Sequence, residues 1–152
     1  MKIAVLGLEK NAPSINLRLA SQTGMLLGEQ ECEICACDVT GIYNSAFRAG
    51  KLNGGQTKAF LTESKSDLPN QFCDVRETYA GNDNLDAMAE YVDAALVLGG
   101  DESVLEAILI LQSKGKKVVA VSGTEGIVDE GRLPEEVKIF PFVPDAVDAI
   151  FD

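Results

Sequence analysis

Residues 97–106 read Val97-Leu98-Gly99-Gly100-Asp101-Glu102-Ser103-Val104-Leu105-Glu106. An apolar run meets two glycines, and a helical pattern starts at once. At such a strand–turn–helix junction, free backbone N–H groups and the positive end of the helix dipole favour an anion, typically a nucleotide phosphate. Yet Asp101 and Glu102 stand where that anion would lie. A carboxylate about 4 Å from a phosphate costs roughly 1 kcal/mol in water and about 4 kcal/mol at an effective dielectric near 20. Two or three such acids would erase most of a micromolar affinity, about 8 kcal/mol. Acids in a first helical turn also gain ~0.3–1 kcal/mol each from the dipole. Asp101 is therefore expected to cap its own helix. The alternative is that Asp38, Asp101 and Glu102 converge on a divalent cation.

The elements that must position this junction alternate strand and helix. Strands are predicted at 2–7, 32–37, 57–61, 94–98, 118–121 and 137–142, with a short extra one possible at 72–78. Helices are predicted from Pro13 or Ser14 to about Gly28 as C-cap, with an inner face of Ile15, Leu19, Thr23 and Leu26. Others run from Thr40 or Gly41 to Asn53, from the Asn82-Asp83-Asn84 cap through Val92, over 102–114, and from Pro144 onward. Lys114, Lys116 and Lys117 would suit the negative end of the helix at 102–114. This alternation predicts an α/β fold, a doubly wound, mostly parallel sheet of Rossmann-like, three-layer α/β/α type, in one domain over 1–152.

The ligand crevice of such a sheet lies beyond the strands' carboxyl ends. Gly7, Leu8 and Glu9 fall there, as do Asp38 to Gly41, then Gly99, Gly100 and Ser103, and finally Ser122, Gly123 and Thr124. Arg48 and Lys10 are within chain reach of an anion, but solvated surface positions suit them better. Tyr43 suits packing under the sheet better than stacking on a base. Ser45 has no basic partner and is no nucleophile.

Composition narrows the chemistry. With 13 basic and 24 acidic residues the net charge is −11, which argues against nucleic acid and anionic membranes as partners. The absence of histidine excludes His-based acid–base chemistry, Ser-His triads and His metal sites. Cys32, Cys35 and Cys37 lie on a predicted strand, so Cys35 and Cys37 share one face and Cys32 takes the other; buried core thiols are expected, not a metal centre. No apolar run reaches the ~20 residues of a membrane helix. The chain enters its first strand directly from Met1, with no signal-peptide pattern, so a cytoplasmic location is expected.

The order of motifs resembles the LOG or "possible lysine decarboxylase" superfamily. Gly41-Ile42-Tyr43-Asn44-Ser45-Ala46-Phe47-Arg48-Ala49-Gly50 followed by Asn53-Gly54-Gly55 is similar to that family's glycine-bearing segment. Gly99-Gly100-Asp101-Glu102-Ser103-Val104-Leu105-Glu106 is similar to its Pro-Gly-Gly-x-Gly-Thr-x-x-Glu motif. Lys117 to Val121 and Gly123-Thr124-Glu125-Gly126 resemble its next strand and loop.

The resemblance implies a nucleotide-binding protein with an AMP-like ligand, a homodimer, and ligand contacts from Gly7, Gly41, Gly99, Gly100, Ser103 and Thr124. It implies Glu106 as the catalytic acid of members that hydrolyse nucleoside 5′-monophosphates at the N-glycosidic bond, where it would stabilise the cationic sugar. Other members resemble molybdenum-cofactor carriers. Departures are specific: Leu98 replaces a proline, Asp101 and Glu102 replace small uncharged residues, and Gly81 to Asp86 lacks the hydrolases' arginine. The expectation is a small-molecule binding protein with a degenerate phosphate loop and no hydrolase activity. The alternatives are an active N-glycosidase and a homodimeric interaction domain with a vestigial site.

Overall fold

Strand β1 (Lys2–Gly7) is apolar on both sides, with Ile3 and Val5 facing one way and Ala4 and Leu6 the other. Such a strand needs cover on both faces, which a parallel sheet between helical layers supplies. The computed structural model describes residues 1–8 and 10–152; Glu9 lies outside the described residues. Its other strands are β2 (Glu33–Ala36), β3 (Gln56–Thr62), β4 (Val75–Tyr79), β5 (Ala94–Leu98), β6 (Lys117–Val121) and β7 (Lys138–Phe140). All seven pair in parallel, in the order β4-β3-β2-β1-β5-β6-β7. The extra strand allowed at 72–78 is thus real, as edge strand β4. The chain winds outward from β1 to β4, returns to β5 beside β1, and winds outward again.

The helices are α1 (Ser14–Glu29), α2 (Ile42–Leu52), α3 (Asp83–Tyr91), α4 (Glu102–Ser113), α5 (Gly126–Asp129) and α6 (Val143–Phe151). Ala20, Leu27, Ile42, Phe47, Val147 and Ile150 from α1, α2 and α6 cover the Ile3 and Val5 face. Met88, Val104, Ile108, Leu111 and Ile127 from α3, α4 and α5 cover the other. The result is a three-layer Rossmann-like α/β/α fold. Cys32 lies in the first layer and Cys35 in the second, with Cys37 packed against it, as the strand pattern predicts. No disulfide joins the cysteines among the described residues, and burial pushes the Cys35 pKa well up. No helix is long and apolar enough to cross a membrane among the described residues.

Four local expectations are corrected. Gly28 does not cap α1. It lies inside the helix, where a Cβ would come within 2.6 Å of the Gly50 carbonyl oxygen; a Cβ on Gly24 would stand 2.2 Å from that of Ala46. The two glycines let α1 and α2 touch backbone to backbone, and the left-handed turn after the helix falls to Glu31, at φ +57°. Of the expected inner face of α1, Thr23 is buried and Leu19 and Leu26 pack against the core, but Ile15 is exposed and the stripe widens instead to Asn16, Ala20, Gly24 and Leu27. The lysines after α4 serve its neighbours: Lys117 donates to the carbonyls of Ala149 and Asp152 at the end of α6, and Lys114 pairs with Asp86 and Glu90 of α3. Between the strands predicted at 118–121 and 137–142, where no helix is expected, residues 126–129 form the single turn α5.

Gly24→Ala tests the α1–α2 contact. Alanine is the better helix former by about 1 kcal/mol, yet overpacking should lower stability by a net ~1–3 kcal/mol in denaturant unfolding. An unchanged or raised midpoint would show that the helices are not in tight contact.

Candidate functional site

The order of strands reverses between β1 and β5, so the crevice expected of this fold opens beyond Gly7 and Leu98. A cleft of about 210 Å³ lies beside that point, at the carboxyl edge of the sheet on the α3 and α4 side. Leu6, Leu85, Val104 and Ala107 form its apolar walls, and Thr62, Asn82, Ser103 and Glu106 its polar rim. A larger hollow of about 690 Å³ sits at the opposite, amino end of β6 and β7, between long charged side chains such as Lys116, Lys138 and Asp148. Its position is remote from every junction that the fold uses for ligands, so the smaller cleft is the candidate.

Of the residues singled out in the sequence, Gly7, Ser103 and Glu106 line the cleft, as do Tyr43 and Cys37. Gly7 has no room for a side chain, because a Cβ would lie 2.8 Å from the Leu98 carbonyl oxygen of the neighbouring strand. The Tyr43 hydroxyl donates to the Gly7 carbonyl at 2.6 Å and accepts from its N–H at 3.2 Å, which fixes this buried tyrosine under the sheet edge. Glu106 is exposed, and makes no hydrogen bond or ion pair among the described residues.

Gly99, Gly100, Thr124 and Gly41 lie outside the cleft. Gly99 and Gly100, at φ +67° and +110°, are buried against the loop after β6. A Cβ on Gly99 would stand 2.4 Å from the Thr124 carbonyl oxygen, and the Gly100 carbonyl accepts from Ile127 N–H. Thr124 is buried and donates its hydroxyl to Val121. Its carbonyl accepts from the Asn16 side chain at 2.9 Å; the other side-chain atom of that buried residue, Oδ1, has no partner among the described residues. Gly41 is exposed, at the start of α2.

The acids have separate partners. Asp101 caps α4: its Oδ1 accepts from Ser103 N–H at 3.1 Å and from the Ser103 hydroxyl at 2.6 Å. Those bonds hold its pKa below the usual carboxylate value against a smaller upward push from burial. Glu102 pairs with Arg132. Asp38 Oδ1 accepts from Val39 N–H and Thr40 N–H at 2.6 and 2.8 Å and from the Thr40 hydroxyl, while Oδ2 meets Lys65 Nζ at 2.8 Å. No group of three or more such ligands could hold a metal ion among the described residues. A further carboxylate went unread in the sequence: Asp129 accepts from Gly123 N–H and Glu125 N–H, at 2.9 and 2.8 Å.

Lys65, which also lines the cleft, was missed as well. It follows β3 on a 3-10 turn at Glu63–Lys65, in a stretch whose sequence reads only as loop. Long-range bonds give that stretch its shape. Arg76 donates to the carbonyls of Ser66, Leu68 and Asn70, and Asn70 donates to Val39 at 2.7 Å. No local pattern announces such contacts.

The fold and its cleft define a Rossmann-like α/β protein whose crevice lies at the reversal of strand order. No protein-family model and no curated protein matches the chain. Solved structures do. The structural-genomics target TM1055 superposes with a TM-score of 0.86 at 18% identity, over 99% of this chain and 98% of that one. The molybdenum cofactor binding protein of the phototrophic bacterium Rippkaea orientalis gives 0.85 at 16% identity, over 99% and 94%. The molybdenum cofactor carrier protein of Chlamydomonas reinhardtii gives 0.85 at 17%, over 99% and 95%. At these identities the likeness is one of fold.

The Asp38–Lys65 pair sets a pH dependence. Burial pushes the Asp38 pKa up, but the bonds from Lys65 and Thr40 outweigh it and hold the pKa below its ordinary 3.8. The stabilisation is therefore complete above the unfolded-state value and lost as pH falls through the folded one. Lys65→Met should cost about 1–3 kcal/mol at pH 7, with the gap to wild type closing in unfolding curves taken below pH 3.8. A gap that persists at low pH would assign it to packing instead.

Proposed function

We propose that this chain is a divergent LOG-like protein that binds a small organic molecule in the cleft beside β1 and β5 and does not hydrolyse it. The observation that carries the reading is the cleft itself. It occurs where this fold offers a ligand crevice, with apolar walls and a few convergent polar groups. The full-length likeness in fold to two proteins described as molybdenum cofactor binders or carriers supports a binding role. The ligand class is then a nucleotide or a nucleotide-like small molecule.

The phosphate of such a ligand does not fit the donor set. The Ser103 hydroxyl and N–H serve Asp101, and Lys65 serves Asp38. The absence of hydrolysis rests on the same residues. Glu106 is within the cleft, but no arginine accompanies it in the lining. The homodimer remains part of the proposal; Leu17 and Met25 of α1 and Leu52 of α2 are apolar and exposed, at 37%, 36% and 68%.

A calorimetry and thermal-shift panel of AMP, other nucleotides and dinucleotides at low salt tests the binding. A ligand at a hundred times its Kd should stabilise by about 2.7 kcal/mol. No stabilisation by any panel compound at millimolar concentration would sink the reading. No free base should be released from AMP; release that Glu106→Gln abolishes would establish the glycosidase instead. Sedimentation at micromolar concentration should give twice the 16.2 kDa chain mass, and a monomer would remove the homodimer.

A further inference from the structure

The chain's charge is unevenly spread. It has 24 acids against 13 basic residues, yet no acid lies between Lys10 and Gly28 or between Val39 and Thr62. Those segments contain α1 and α2, whose one acid is Glu29 at the end of α1. The other long helices expose several: Asp83, Asp86 and Glu90 on α3, Glu102 and Glu106 on α4, Asp145 and Asp148 on α6.

The acid-poor helices also form a single platform. Gly24 and Gly28 bring α1 against the backbone of α2 at Ala46 and Gly50. Leu17, Ser21 and Met25 follow one another at four-residue spacing along α1, so they share one side of it. Between the two helices runs a groove of about 380 Å³, lined by Ser21, Met25, Ser45, Ala49 and Leu52, with Arg48 as its one charge. Depletion of charge, with Met and Arg retained, is the composition of an interface core.

The charges also select the partner. Two chains of net charge −11 repel, and at physiological salt the groups within about 8 Å of the contact decide how strongly. Through α3, α4 or α6 two copies would set acid against acid. The apolar residues exposed there keep acidic company: Leu109 shares α4 with Glu102 and Glu106, and Phe151 shares α6 with Asp145 and Asp148. Through α1 and α2 a second copy meets no such opposition. Antiparallel packing of α1 on its copy sets the Arg18 half of each helix beside the Glu29 end of the other, twice over, as a two-fold interface requires.

We infer that the α1–α2 platform is the two-fold face of the homodimer, with α1 packed antiparallel on α1 of the second copy. This rests on the homodimer of the proposed reading and names its surface; it is independent of what the cleft binds.

Sedimentation of the full chain and of four exposed-site variants tests it, with circular dichroism to show that each variant is folded. Met25→Glu and Leu52→Glu should weaken the dimer at least tenfold, whereas Leu109→Glu and Phe151→Glu should leave it unchanged. Raising salt from about 0.05 to about 0.5 M should tighten the wild-type dimer at least threefold, because it screens the like charge of the two chains. A dimer that withstands both platform substitutions, or that Leu109→Glu or Phe151→Glu disrupts, would overturn the assigned face and leave the homodimer in place. Weakening by salt would do the same, since it would reveal an interface built on opposite charges. A wild-type monomer at micromolar concentration would remove the homodimer and this face together.

Discussion

Parallel pairing is the constraint from which the remaining features follow. Seven strands running one way place all their carboxyl ends along one edge of the sheet, and every connection must cross a face to return. The crossings supply the helices that bury both faces, so the central strand β5 is apolar and buried throughout, while the edge strand β4 is largely polar and not buried. The same geometry gathers the loops after β1, β2, β3, β5 and β6 at a single rim. Where the winding reverses, between β1 and β5, helices on opposite faces diverge and leave a crevice. The cleft is thus a property of the winding, before any side chain is chosen.

Side chains then decide what the crevice is for. A rim of helix starts and tight turns exposes N–H groups that need acceptors. This protein supplies them internally, from Asp38, Asp101 and Asp129. Internal capping stabilises the loops without a ligand. It also gives the rim a negative character that matches the chain's net charge of −11. Lys65 compensates Asp38 locally, so the lining retains Glu106 as a charge with no partner among the described residues.

Much of the fold was legible because periodicity is local. The runs at 2–7, 94–98 and 117–121, with Gly-Gly and Lys-Gly punctuation, mark buried strands and the ends of helices. The cap role of Asp101 was legible too, since an acid two residues before Ser103 can reach its N–H whatever lies elsewhere. The opposite faces of Cys32 and Cys35 follow from the alternation of a strand. The misreadings share a cause. Gly28 has the composition of a helix cap, but its missing side chain admits Gly50 of another helix. Lys117 has the charge to serve α4, but the chain end it reaches is that of α6.

The sequence by itself determined the layered α/β architecture, the positions of the strand ends, and the presence of acids where a phosphate loop would be neutral. These depend on period, turn chemistry and residues only a few positions apart. The tertiary structure alone decided which of those residues share a cavity. Gly7, Ser103 and Glu106 meet Lys65 and Leu85 there, while Gly99, Gly100 and Thr124 turn inward to pack on one another. That assignment depends on contacts between segments far apart in the chain, set by how closely backbones approach and by where loop carbonyls find their donors.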